Sequence, residues 1–143
     1  MCTTELGEVA RRAPEFKARG VKLIGLSANG LESHEKWIED IEQVGAEIAP
    51  TNVNFPIIAD ADRKVSTLYD MLDAVDASNV DAKGIPFTVR TVFVIDPKKV
   101  IRLTLSYPAQ TGRNFDEILR VIDSLQLGDQ HKVFTRPHLS RHV

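Results

Sequence analysis

The sequence predicts a single α/β domain. Apolar patterns with the period of a helix alternate along the chain with short apolar or β-branched runs of strand length. A length of 143 residues, with 43% apolar and 27% charged residues, is typical of one globular domain with a buried core. The predicted order is helix, strand, helix, strand, helix, hairpin, helix, which is an α/β order without an opening strand.

The first helix and strand occupy residues 4–27. Apolar residues in 4–19 recur at three- and four-residue spacing and predict a helix, which Pro14 should kink and Gly20 should cap. Residues 21–27 form a short apolar run that ends at turn residues. This run predicts a buried parallel strand.

The second helix and strand follow in residues 33–60. Ser33 is suited to cap a helix that ends just before Gly45. Within it, His34 is expected to be a solvated first-turn residue and Trp37 a core aromatic. Residues 55–60 predict a short edge strand, because Pro56 has no N–H to donate to a neighbour.

The second half of the chain predicts two helices and a hairpin. Residues 64–72 have helical spacing, and the polar stretch 73–84 is expected to be a loop. Residues 88–95 and 100–107 are rich in β-branched residues, and the tight connection between them predicts an antiparallel hairpin. Asn114 caps a final helix that should end at Gly128, and the tail from Asp129 is expected to be loose.

Composition and motifs exclude several classes of function. A net charge of −2 with scattered Lys and Arg argues against a nucleic-acid partner. No stretch approaches the ~20 apolar residues of a membrane span, and no signal-peptide pattern opens the chain. No phosphate-binding glycine motif or metal-ligand spacing is present, so we expect no cofactor and no metal site.

The chain holds one cysteine, Cys2, directly ahead of the first helix. A thiol there lies against backbone N–H groups and the positive end of the helix dipole, which favours the nucleophilic thiolate. Position alone leaves open the alternative of an inert residue next to the initiator methionine. One cysteine excludes an internal disulfide framework, which fits a reducing compartment, and any thiol chemistry needs a second thiol from outside.

Five segments resemble a known family, and they occur in the family's order over residues 2–127. They are CTTELG at 2–7, VKLIGLS at 21–27, FPII at 55–58, VRTVFV at 89–94 and YPAQTGRNFDEILR at 107–120. The sequence resembles the 1-Cys (peroxiredoxin 6-like) class of the peroxiredoxin family, thiol peroxidases of thioredoxin-like fold. The resemblance implies an AhpC/TSA-type domain over residues 1–128, with a mixed sheet flanked by helices, and a divergent tail at 129–143.

The resemblance also implies a catalytic site. Cys2 would be the peroxidatic cysteine, whose thiolate attacks a peroxide oxygen and becomes a sulfenic acid. Arg90 matches the arginine that stabilises the thiolate and the breaking O–O bond, Arg113 matches a second arginine, and Glu5 matches the acid that orients them. The residues alone leave open a snorkelling strand arginine at Arg90, and a helix-terminus salt bridge for the other two.

The resemblance implies three partners and no cofactor. They are hydrogen peroxide or an organic hydroperoxide, an external thiol such as glutathione or a thioredoxin-like protein, and a second copy of the chain. The copies would pair through the edge strand at residues 101–107. The implied location is cytoplasmic or mitochondrial.

The sequence departs from the family at both ends. Family members carry two strands, a helix and a central strand with a Pro-x-x-x-Thr-x-x-Cys motif, whereas here only Met1 precedes Cys2. We therefore expect the pocket to lack that proline and threonine, the sheet to lack its central strand, and the chain to lack the C-terminal arm. Two hypotheses follow: a thiol peroxidase, or a catalytically impaired thioredoxin-like remnant that acts as a dimerisation or binding module.

Overall fold

The protein, described here as a computed structural model over residues 2–134, has the predicted α/β class. It divides into two compact units, residues 1–91 with 106–112 and residues 92–105 with 113–143. The described helices are α1 (Cys2–Arg11), α2 (Ala13–Ala18), α3 (Leu31–Ala46), α4 (Lys64–Leu68) and α5 (Phe115–His131). The described strands are β1 (Gly25–Ser27), β2 (Ile57–Ala59), β3 (Arg90–Ile95) and β4 (Ile101–Tyr107).

The first predicted helix consists of two helices. Arg12 separates them with φ −85° and ψ 1°, and Pro14 lies in the first turn of α2, where its missing N–H costs nothing. The kink expected at Pro14 is therefore a break two residues earlier. Gly20 has φ +68° after α2, so its predicted capping role is confirmed.

Helices α1 and α3 pack together in the first unit through small residues. A Cβ on Gly7 would lie 3.7 Å from the Cα of Gly45 and 3.7 Å from the carbonyl oxygen of Ile41. One turn earlier on each helix, Trp37 donates from Nε1 to Oγ1 of Thr3 at 3.1 Å. The contact nearer the N-terminus of α1 is thus also the contact nearer the N-terminus of α3. The two helices therefore run parallel, with their N-termini at the same end.

The strands form two separate two-stranded sheets. β1 and β2 are parallel, with Gly25 opposite Ile57, and β1 begins four residues later than the apolar run predicts. β3 and β4 form the predicted antiparallel hairpin, whose turn is closed by a 2.9 Å bond from the Asp96 N–H to the Val100 carbonyl. The mixed sheet that the sequence predicts is thus present as one parallel pair and one antiparallel pair.

The start of α3 corrects two expectations. Gly30, not Ser33, is the N-cap residue, and the Ser33 hydroxyl donates instead to the Gly30 carbonyl at 2.8 Å. His34 is only 3% exposed, so the prediction of a solvated histidine was wrong. Its ring lies 5.9 Å from that of Trp37, whose indole donates to Thr3 of α1.

The later helices differ from the predictions at their ends. α4 stops at Leu68, because Leu72 is already paired with Thr88 in an isolated antiparallel bridge. Asn114 caps α5 as predicted, accepting from the Glu117 N–H at 3.1 Å. α5 continues to His131, three residues past Gly128, and residues 135–143 of the predicted tail lie outside the described part.

The second unit is organised by the apolar face of α5. Five of its side chains are buried at 9% exposure or less, namely Phe115, Ile118, Leu119, Val121 and Ile122. Arg102 of β4 forms a bidentate salt bridge with Asp129, and both N–O distances are 2.9 Å. Among residues 2–134, no helix combines the length and apolar character that a membrane crossing requires.

Candidate functional site

Cys2 is the first residue of α1, as the sequence predicts, and its side chain is exposed. The neighbouring residue Thr3 is held by the Trp37 indole, which connects the first turn of α1 to α3. Cys2 therefore lies at the end of a helix where unpaired backbone N–H groups favour a negative charge.

Glu5 and Arg90 form a buried ion pair in the first unit. Arg90, the first residue of β3, donates from Nη1 to Oε2 of Glu5 at 2.5 Å, and their side chains are 11% and 8% exposed. Glu5 follows Cys2 by three positions on α1, so the two residues share a face of that helix. The structure thus brings the strand arginine to the helix that begins with the cysteine.

A backbone carbonyl holds the other side of the guanidinium. Arg90 donates from Nε to the carbonyl oxygen of Ala109 at 2.6 Å, just beyond the end of β4. Within residues 2–134, Nη2 of Arg90 has no hydrogen-bond partner. The guanidinium is therefore fixed by two of its nitrogens and retains N–H donors for a ligand.

Arg113 lies apart in the chain from this ion pair. It is half-buried, precedes the cap of α5 and belongs to the second unit, whereas Cys2, Glu5 and Arg90 belong to the first. Its part in the site stays a prediction. Among the described residues, no group of three or more His, Cys, Asp or Glu side chains could hold a metal ion.

A second polar network, which the sequence did not predict, surrounds Arg63. This arginine has φ +58° and is 6% exposed, and it donates to the carbonyls of Ala28 and Ala61 at 2.5 Å and 2.9 Å and to Asp81 at 3.2 Å. Phe87 lies 5.4 Å beneath the guanidinium. A single arginine in a polar stretch gives no periodic signal, so sequence patterns could not find this network.

Asp60 completes that network at the start of α4. Its carboxylate accepts from the backbone N–H groups of Val65 and Ser66 and from the Ser66 hydroxyl, at 2.6–2.9 Å. Burial raises the pKa of Asp60, but the hydrogen bonds from Ser66 and Val65 outweigh it, and the net pKa is lowered. An open groove of about 470 Å³ borders Arg63, and its lining does not include the Glu5–Arg90 pair.

The chain is similar to known proteins in sequence and in structure. The profile of the AhpC/TSA family matches residues 1–104. The mitochondrial peroxiredoxin PRX1 of Saccharomyces cerevisiae is 54% identical over 135 residues, which are 94% of this chain and 50% of the yeast protein.

Two solved structures share the fold. A cysteine-to-serine mutant of the peroxiredoxin 6 of Arenicola marina superposes with a TM-score of 0.89 at 43% identity, covering 99% of this chain and 62% of that one. The yeast mitochondrial 1-Cys peroxiredoxin superposes with a TM-score of 0.82 at 48% identity, covering 99% of this chain and 65% of that one. The fold is therefore the thioredoxin-like α/β fold of these proteins, as predicted.

The chain spans about half of the yeast PRX1 sequence and less than two thirds of the Arenicola structure. The family match nevertheless covers most of the chain, and the yeast structure that it resembles is titled a 1-Cys peroxiredoxin. The chain belongs to the AhpC/TSA family.

Proposed function

We propose that this chain is a thiol peroxidase of the 1-Cys type, with Cys2 as its nucleophile and hydrogen peroxide or an organic hydroperoxide as its substrate. The observation that carries the proposal is the buried pair of Glu5 and Arg90 beside the helix that begins with Cys2. Family membership supports the same chemistry.

The proposed reaction has two halves. The Cys2 thiolate attacks one peroxide oxygen, so that an S–O bond forms as the O–O bond breaks, and the departing oxygen takes a proton to become water or an alcohol. The sulfur is oxidised to a sulfenic acid, and the peroxide is reduced. An external thiol then displaces water to form a mixed disulfide, and a second thiol releases Cys2.

Arg90 is proposed to act mainly through N–H groups that point at the peroxide oxygens, and less through its net charge. Glu5 neutralises the guanidinium, so the pair adds little net field at the sulfur. The Nη2 donors have no partner within residues 2–134, and they can hydrogen-bond the peroxide oxygens as negative charge develops on them. We place Arg113 as a supporting residue for this pair, on the resemblance alone.

The reductant is proposed to come from outside the chain, because the sequence holds no second cysteine. The yeast 1-Cys peroxiredoxin was studied for a thiol resolving mechanism via glutathione/thioredoxin systems. We propose the same class of reductant here. A mitochondrial or cytoplasmic location is proposed with it, since one relative is named as mitochondrial.

A homodimer through β4 is part of the proposal. Along this strand Leu103, Leu105 and Tyr107 are half-buried, while Arg102 and Thr104 between them are exposed. β4 pairs with β3 in a two-stranded sheet, so its other edge can pair with a second copy. Sedimentation analysis tests this: Thr104→Pro should shift the chain towards monomer, and an unchanged dimer would contradict the arrangement.

The alternative function is a binding or dimerisation module with an oxidisable but unassisted thiol. The exposed Cys2 side chain favours this alternative, because an exposed thiol has fewer protein groups around it to orient a peroxide for attack. The two functions differ in the rate at which Cys2 reacts with peroxide.

Stopped-flow peroxide reduction by the 143-residue chain decides between them. We expect a second-order rate constant far above that of free cysteine, which Cys2→Ser abolishes. A rate no faster than free cysteine would rule out the enzymatic hypothesis and leave the binding module.

A further inference from the structure

We propose that Asp76 and Gln110 are positioning residues for Arg90, and that a hydrogen bond between them holds the carbonyl to which Arg90 donates. The proposal deepens the proposed function and rests on it. The bond runs from Nε2 of Gln110 to Oδ2 of Asp76 at 3.1 Å, and it joins the loop after α4 to the turn after β4.

The Ala109 carbonyl, which accepts from Arg90, lies in a tight turn. The Thr111 N–H donates to the Pro108 carbonyl at 3.0 Å, which makes Ala109 and Gln110 the central residues of a β-turn. Ala109 accepts from Arg90, and Gln110 donates to Asp76. These two hydrogen bonds from the turn to other parts of the described unit thus involve adjacent residues, so we expect a change at one to affect the other.

Asp76 is held in place by local hydrogen bonds. Its Oδ1 accepts from the Ser78 N–H at 2.9 Å and from the Ser78 hydroxyl at 2.5 Å, and its own N–H donates to Asp73 at 2.9 Å. Hydrogen bonds from Ser78 hold the pKa of Asp76 below its usual value, so the carboxylate is ionised at neutral pH. Gln110 therefore donates to a fixed, charged acceptor.

Backbone hydrogen bonds connect the same loop to the segment that precedes Arg90. The Val89 N–H donates to the Met71 carbonyl, and the Asp73 N–H donates to the Phe87 carbonyl, both at 2.9 Å. These bonds tie the start of the Asp76 loop to the segment just ahead of Arg90. The backbone next to Arg90 is thereby connected to this loop directly, and the Arg90 guanidinium is connected to it through the Ala109–Gln110 turn.

The Asp76–Gln110 bond helps to place the Nη2 donors of Arg90. If the Asp76–Gln110 bond is lost, the turn keeps its covalent link to β4 and its hydrogen bond from Arg90, but it loses the loop contact that helps to fix the Ala109 carbonyl. Small misplacements of a catalytic group cost rate steeply. Because Gln110 is exposed and water competes for its amide, we expect a moderate effect of roughly 3- to 10-fold on the peroxide rate constant.

The test compares two backgrounds in the full chain. Gln110→Ala and Asp76→Ala should each lower the peroxide rate constant in the parent, and neither should lower it further in the Arg90→Ala background. Asp76→Asn should retain much of the rate that Asp76→Ala loses. The Gln110 amide can rotate so that its oxygen accepts from the side-chain N–H at position 76. Gln43→Ala removes an exposed glutamine from α3 and should match the parent.

A spectroscopic readout separates this proposal from the proposed function. In ¹⁵N spectra, the Arg90 Nε–H signal should exchange faster with water in Gln110→Ala than in the parent. If the parent does not reduce peroxide, the proposed function fails, and the exchange of this signal alone decides the positioning role. An unchanged signal and rate in both alanine variants would overturn the proposal, and so would an equal rate loss in the Arg90→Ala background.

Discussion

Arg90 and Glu5 are 85 positions apart in sequence and 2.5 Å apart in space, joined from Nη1 to Oε2. Neither side chain exceeds 11% exposure, so their mutual attraction offsets part of the cost of burying the two charges. This pair connects β3 with the first turns of α1, where Cys2 lies.

Arg90→Ala should lower the peroxide rate constant by about 10²- to 10³-fold, because directed N–H donors to the breaking O–O bond are lost. Arg90→Lys should remain at least about tenfold impaired, since a lysine cannot donate to Glu5, Ala109 and a ligand in one plane. Stopped-flow kinetics measure both variants. Arg19→Lys, at an arginine that donates to a helix carbonyl, is the matched control and should match the parent. Equal rates for Arg90→Ala and the parent would remove Arg90 from the site.

Glu5→Gln should destabilise the fold, because it leaves the buried Arg90 charge without its counter-charge. Breaking a buried pair from one side costs about 3–5 kcal/mol. Urea unfolding of the two chains measures the difference, and Glu8→Gln serves as control, since Glu8 pairs with Arg11 and Arg12 nearer the surface. A difference below about 1 kcal/mol would mean that Arg90 finds another partner or water.

Asp60 should make stability depend on pH in the acid range. Its folded-state pKa lies below the ordinary value of 3.8, so the ionised carboxylate stabilises the fold fully above that value. The contribution is lost as the pH falls through the lowered folded-state pKa. Asp60→Asn should cost about 1–3 kcal/mol at pH 7, because it weakens the acceptor of the buried Ser66 hydroxyl.

Unfolding of both chains between pH 7 and pH 2 checks this. The difference between the parent and Asp60→Asn should be constant from pH 7 to about pH 5 and shrink below pH 4. A difference that persists unchanged at pH 2 would show that the charge of Asp60 is not the cause.

Gly45→Ala should destabilise the first unit, because the new Cβ would lie 2.5 Å from Oγ1 and 2.7 Å from Cβ of Thr51. Overpacking of this kind costs about 1–3 kcal/mol. Thr51→Gly in the same chain should recover part of the loss. Gly128→Ala in α5 is the matched control, because its Cβ meets only the Val133 carbonyl at 3.4 Å, and a helical alanine gains about 1 kcal/mol. Equal melting temperatures for Gly45→Ala and the parent would contradict the close contact.

Sequence patterns predicted the elements well and their ends less well. The position of Cys2 at the start of a helix and the Asn114 cap follow from local rules, and both are confirmed. His34 was placed in solvent because a first-turn residue usually lies there, but tertiary packing, which local spacing does not encode, buries it. The early end of α4 has the same origin, since Leu72 leaves the helix to pair with Thr88.

The site was predicted only through the resemblance. The residues alone left open a snorkelling strand arginine at Arg90 and a helix-terminus salt bridge for Glu5, since contacts across 85 positions have no local signature. The Ala109 carbonyl escaped prediction for a different reason, because every residue carries one and only the fold selects which one Arg90 meets. The Asp60, Arg63 and Ser66 network escaped for both reasons.

The distance in sequence between Glu5 and Arg90 has a consequence for synthesis. A ribosome adds about 5–20 residues per second, so Glu5 precedes Arg90 by roughly 4–17 seconds. Throughout that interval the first turns of α1 lack the guanidinium that they meet in the finished fold. Under the proposed function, Arg90 can therefore assist Cys2 only after residue 90 has been synthesised and has paired with Glu5.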